Sequence, residues 1–172
     1  MQNQNGQIEL FDTEELFSSV PAKSYTPDGN RLKVHFMSEH INWATPQAIF
    51  DKLNAEFDFT LDPCADISNA KCKKFYTLKE NGLAQDWSKE RVFMNPPYGK
   101  EISKWIKKAY QESKKGALVI CLIPSRTDTK WWHDFVLNAK QIRFIKGRLS
   151  FNDGDNTAPF PSAIIVFDGR GV

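Results

Sequence analysis

The stretch that most constrains this chain is Arg91-Val92-Phe93-Met94-Asn95-Pro96-Pro97-Tyr98-Gly99, where an apolar run of strand-forming residues passes directly into a double proline. A buried strand must end there, because neither proline has an N–H to donate to a ladder and each fixes φ at about −65°. The residue before the first proline, Asn95, is pushed toward extended backbone. The result is a rigid turn carrying an amide, a free backbone carbonyl and an aromatic ring, a surface suited to a planar group bearing an NH2. Asn-Pro and Pro-Pro are also ordinary turn formers, so the rest of the chain has to supply the remainder of a site.

Upstream, Thr45 has the character of a helix N-cap and Pro46 of a first helical residue. The helix they open, about 46 to 56, would bury Ile49, Phe50, Leu53 and Phe57 at helical spacing. A strand over 57–62 ends in Asp62, and a second short strand is expected at 74–77 before the turn-like Lys79-Glu80-Asn81-Gly82. After the central turn, Ile102, Trp105, Ile106, Ala109 and Tyr110 repeat as one buried helical face, which Gly116 ends. Residues 117–123 form a continuous apolar run suited to a strand buried on both sides. A helix over 128–138, with Trp131 and Trp132 as core or interface anchors, and strands at 141–146 and 162–168 complete the order.

This alternation predicts an α/β fold, a mostly parallel sheet with helices on both faces and an antiparallel strand near the C-terminus. In such sheets ligands bind beyond the C-terminal ends of the strands, so Asp62, Asp86 and Asn95 are expected to converge on one crevice. Residues 1–35 begin Gln/Asn-rich and continue with scattered Pro, Gly, Lys and Ser; they are expected to be a flexible arm ahead of a single domain, 36–172.

The balance of 23 Lys+Arg against 21 Asp+Glu leaves a formal charge of only +2, so contact with nucleic acid must come from local patches. Ser125-Arg126 after the fourth strand and the cluster Arg143, Lys146 and Arg148 are the candidates for holding phosphates. Three cysteines, Cys64, Cys72 and Cys121, without CxxC spacing argue against a disulfide framework or a zinc site. No metal is expected. The absence of a signal-like N-terminus and of any run of 18 apolar residues points to a cytoplasmic protein without membrane spans. Oligomeric state is not readable.

Five landmarks stand in order: Trp43-Ala44-Thr45-Pro46, Leu61-Asp62-Pro63-Cys64-Ala65, Asn81-Gly82-Leu83-Ala84-Gln85-Asp86-Trp87, Asn95-Pro96-Pro97-Tyr98 and Gly147-Arg148-Leu149-Ser150-Phe151. Together they resemble the S-adenosylmethionine-dependent amino-methyltransferases, and among them the small phage-type DNA N6-adenine (Dam-like) enzymes. The resemblance implies a Rossmann-like methyltransferase fold, S-adenosylmethionine as cofactor and double-stranded DNA as substrate, with the target adenine flipped out of the duplex. It places Asn95, Pro96, Pro97 and Tyr98 at the catalytic corner, with Asn95 Oδ1 and the Pro96 carbonyl accepting from the adenine amine and Tyr98 stacking on the base. It implies that Asp62 lies near the cofactor's amino group, Thr45 and Pro46 near its carboxylate, and Asp86 near its adenine, while Glu80 is the nearest acid for the ribose. Pro63, Cys64 and Ala65 stand where many methyltransferases carry a Gly-rich loop, so Cys64 and Ala65 would serve as the small residues there. The same turn also serves enzymes that methylate RNA base amines or a protein glutamine amide, which remain the alternative. No long insertion separates or follows the landmarks, so a short recognition sequence or weak specificity is expected.

Overall fold

The computed structural model describes residues 8–11, 43–151 and 156–170. Its strands are β1 (Ile8–Phe11), β2 (Leu61–Asp62), β3 (Lys74–Phe75), β4 (Arg91–Met94), β5 (Leu118–Pro124), β6 (Gln141–Ile145), β7 (Ser150–Phe151), β8 (Asn156–Thr157) and β9 (Ser162–Asp168). The helices are α1 (Gln47–Phe57), α2 (Ile102–Lys114) and α3 (Lys130–Asp134), with single 3-10 turns at Gly82–Ala84 and Val136–Asn138. Seven strands form one sheet in the order β1-β6-β9-β5-β4-β2-β3, and β7 and β8 make a separate two-stranded ribbon. The pairs β1–β6, β2–β3, β2–β4 and β4–β5 are parallel. β9 runs antiparallel between β5 and β6, the antiparallel strand expected near the C-terminus.

The sheet is clothed on both faces. Phe93 pairs with Ile120 and Ile120 with Val166, so these side chains share one face. Phe50 of α1 meets the Phe93 ring at 5.2 Å, which places α1 there. Phe167, one residue on from Val166, points to the other face and meets Tyr110 of α2 at 6.0 Å. The residues of β5 are buried throughout, and Trp131 and Trp132 are buried as anchors of α3. This is a mixed α/β architecture, consistent with the methyltransferase-like fold that the resemblance implies.

Several local readings change. Thr45 does not cap α1: the helix begins at Gln47 with Pro46 at the cap position and no side-chain bond, because the Thr45 hydroxyl is engaged elsewhere. The strand expected over 57–62 shrinks to Leu61–Asp62, since the chain leaves α1 through a left-handed Asp58 (φ 51°) and Asn54 Oδ1 takes the Phe59 N–H. The helix expected over 128–138 breaks at Phe135 into α3 and a 3-10 turn. Within the expected flexible arm, Ile8–Phe11 is a strand that gives β6 a parallel partner; the remainder of 1–35 lies outside the described residues. The loop expected over 147–161 contains the β7–β8 ribbon.

Candidate active site

β2 and β4 are neighbours in the sheet, so Asp62 at the end of β2 and Asn95 just past β4 open into the same space. That space is a cavity of about 610 Å³, lined by Trp43 to Thr45, Asp62 to Asp66, Asn69, Lys71, Thr77, Leu78, Asn81, Gly82 and Asn95 to Glu101 among others.

On one side Asp62 is buried, its carboxylate accepting the backbone N–H groups of Cys64 (3.4 Å) and Lys71 (3.2 Å). Burial pushes its pKa up to about 6 against those hydrogen bonds. Pro63 and Ala65 are buried and Cys64 is partly so. Burial, with Asp62 adding to it, pushes the Cys64 thiol well up, so it is a packing group rather than a nucleophile.

On the other side both hydrogens of the Asn95 amide and one lone pair of its oxygen are engaged. Its Nδ2 donates to the Trp43 carbonyl at 2.6 Å and to Thr45 Oγ1 at 3.0 Å, and its Oδ1 accepts the Tyr98 hydroxyl at 2.7 Å. Tyr98, expected to present its ring to a base, is here 7% exposed, with Phe151 and Phe160 packed edge-on at 6.2 and 5.4 Å. Pro96 is buried, Pro97 exposed, and both line the cavity.

Two expected cofactor contacts stand apart. Asp86 does not line the cavity; its carboxylate takes the backbone N–H and hydroxyl of Ser88 at 3.1 and 3.0 Å, closing the turn into β4. Glu80 is exposed and bound to the N–H and hydroxyl of Thr77, so it shapes the rim while Thr77 and Asn81 line it. Asn81 and Gly82 stood in a landmark without a role assigned to them, and Asn69 and Lys100 were not singled out as wall residues. Phe160 was missed and Phe151 stood only in the last landmark, without a role: they sandwich Trp43 at 5.1 and 5.6 Å as well as Tyr98.

The family model described as DNA N-6-adenine-methyltransferase (Dam) matches residues 35–166. The chain belongs to the Dam family. Among Dam-family relatives, the DNA N-6-adenine-methyltransferase of Haemophilus phage HP1 (strain HP1c1) is 35% identical over 136 residues, 74% of this chain and 79% of that protein. The DNA N-6-adenine-methyltransferase of Escherichia phage T1 is 30% identical over 119 residues, 67% of this chain and 50% of that one. The putative methyltransferase YfdM of Escherichia coli (strain K12) is 46% identical over 63 residues, 33% of this chain and 69% of that one.

A Dam-family chain is an adenine-specific DNA methyltransferase, an enzyme that takes a methyl donor and DNA. The expected DNA contacts divide. Arg143 is 9% exposed and grips Glu56 of α1 with both guanidinium nitrogens (2.6 and 2.5 Å) over the Phe57 ring. It lies inside the sheet between β1 and β9, under α1, and so cannot present itself to phosphate as expected. Arg126 and Arg148 are exposed in loops, whereas the Ser125 hydroxyl is buried without a hydrogen-bond partner among the described residues. Among the described residues no group of His, Cys, Asp and Glu could hold a metal, and no helix is long and apolar enough to cross a membrane.

Proposed function

We propose that this enzyme methylates the exocyclic N6 of an adenine flipped out of duplex DNA, with S-adenosylmethionine as donor. The observation that carries this reading is the single cavity joining the Asp62 carboxylate to the Asn95-Pro96 acceptors. The residues fit the donor: a buried acid whose ionisation costs the free fold calls for a cationic partner such as an ammonium, and the volume suits a nucleoside-sized ligand. The bound donor would supply an electrophilic methyl on a sulfonium centre.

Asp62 would hold the donor's ammonium, with the backbone of Pro63 to Ala65 against its amino acid end. Thr77, Asn81 and Gly82 would face its nucleoside, Glu80 acting through Thr77. At the other end, Asn95 Oδ1 and the Pro96 carbonyl would accept the two N6 hydrogens, favouring the geometry in which the nitrogen lone pair is free of the purine ring. Asn95 carries no charge and is not a base; the proton leaves to water after transfer. The base must leave the stack to reach this corner, and Tyr98 and Pro97 form its wall. Arg126 and Arg148 would hold flanking phosphates.

The experiment is transfer from labelled S-adenosylmethionine to duplex DNA, RNA and protein, followed by nucleoside analysis. We expect N6-methyladenine in DNA, falling at least about a hundredfold with Asn95→Ala. Label in RNA or glutamine without N6-methyladenine in DNA would overturn this reading in favour of the other amine substrates.

A further inference from the structure

The Asn95 amide can face either of two ways, and the Trp43 carbonyl selects one. The Trp43 carbonyl is an acceptor only, so the atom 2.6 Å from it must be the NH2. Inverting the amide would oppose two carbonyl oxygens and turn the NH2 toward the Tyr98 hydroxyl. The second NH2 hydrogen goes to Thr45 Oγ1 at 3.0 Å, in a place where Thr45 is 4% exposed and water has little access to replace it. Oδ1 is then left facing the catalytic corner, with one lone pair on Tyr98 and one remaining for a substrate hydrogen.

We infer that Thr45 is a positioning residue for methyl transfer, steadying the Asn95 amide in the orientation that the Trp43 carbonyl selects and that offers its oxygen to the target amine. This rests on the proposed function and reassigns Thr45 from the cofactor carboxylate to the catalytic amide. The backbone supports it: Thr45 makes no bond to the start of α1, and the neighbouring Trp43 is clamped between Phe151 and Phe160. The hydroxyl and the carbonyl that hold the amide are therefore both fixed by packing, fifty residues from Asn95 in sequence.

The test compares Thr45→Val, which deletes the hydroxyl at nearly constant volume, with Thr45→Ser, which restores it. Three readouts are taken: kcat and KM on duplex DNA, the dissociation constant for S-adenosylmethionine by calorimetry, and solvent exchange of the Asn95 side-chain amide hydrogens by NMR. Those resonances are assigned by their loss in Asn95→Ala. With Thr45→Val we expect kcat to fall about tenfold, cofactor affinity and DNA KM to stay within about twofold, and the Asn95 hydrogens to exchange faster, even in the free protein. Thr45→Ser should restore all of these. Unchanged kcat would overturn the inference, as would weakened cofactor binding with kcat preserved, or a kcat loss without faster exchange. Should valine disturb the fold, Thr45→Ala, which only removes atoms, carries the same comparison. If wild type makes no N6-methyladenine, the proposed function fails, while the exchange measurement still judges the amide lock.

Discussion

Asp62 shows how much chemistry one buried side chain can carry. Its pKa of about 6 means that the free fold prefers the protonated acid between the unfolded value near 3.8 and 6. The contribution to stability is therefore present at low pH and lost as pH rises through about 6, where ionisation costs the free protein on the order of 3 kcal/mol. A bound ammonium reverses that preference. Affinity for S-adenosylmethionine should accordingly fall about tenfold per pH unit below 6 and level off above it, and the cofactor's stabilisation of the fold should be larger at pH 7 than at pH 5. Calorimetry across pH 5 to 7 checks this; a flat profile would separate Asp62 from the cofactor amine. Asp62 and Asn95 were legible in the sequence because each closes a strand and strand ends define the crevice. Asp86 has the same residue type in a similar motif, yet a serine two residues on satisfies it. That capture depends on turn geometry, which spacing does not encode.

At the scale of elements, the segment from Asn81 to Trp87 buttresses the turn after β2. Asn81 takes a left-handed conformation (φ 53°), and Gly82 lies so close to that turn that a Cβ on it would stand 1.9 Å from the Pro63 carbonyl oxygen. Trp87 fastens the arrangement from beneath, wholly buried, its Nε1 donating to the Gly82 carbonyl at 3.0 Å and its backbone N–H to Glu112 Oε2 at 2.9 Å. The periodic helical faces of α1 and α2 were readable, and so was the continuous burial of β5. The role of 81–87 was readable only as a motif, because its function is contact with a segment twenty residues earlier. Gly82→Ala should push the Pro63 carbonyl out of place, lowering stability by about 1–3 kcal/mol and cofactor affinity along with it. Denaturant unfolding and calorimetry on the variant check both; an unchanged cofactor affinity would detach this buttress from the site.

For the molecule as a whole, a formal charge of +2 provides little long-range attraction to DNA, so association has to rest on particular cations near the site. The loop holding Arg148 is drawn to the Asn95–Tyr98 turn by Phe151 and Phe160, and Arg126 follows the end of β5, where the Ser125 N–H bonds the Pro161 carbonyl at 2.9 Å. Both are exposed. Arg143 looked equivalent in sequence, but strand alternation turns it beneath α1 and onto Glu56, a tertiary placement that no local pattern reveals. The two kinds of arginine should separate experimentally. Arg126→Ala and Arg148→Ala should each weaken DNA binding and lower the slope of log K against log salt by about 0.9, with the fold intact. Arg143→Ala should leave that slope unchanged and instead destabilise the protein by roughly 1–3 kcal/mol, because its partner is only half-buried and retains some solvation. Binding titrations at several salt concentrations, with unfolding curves for the same variants, check the division, and a salt slope that falls only with Arg143→Ala would move the DNA face to the other side of the sheet.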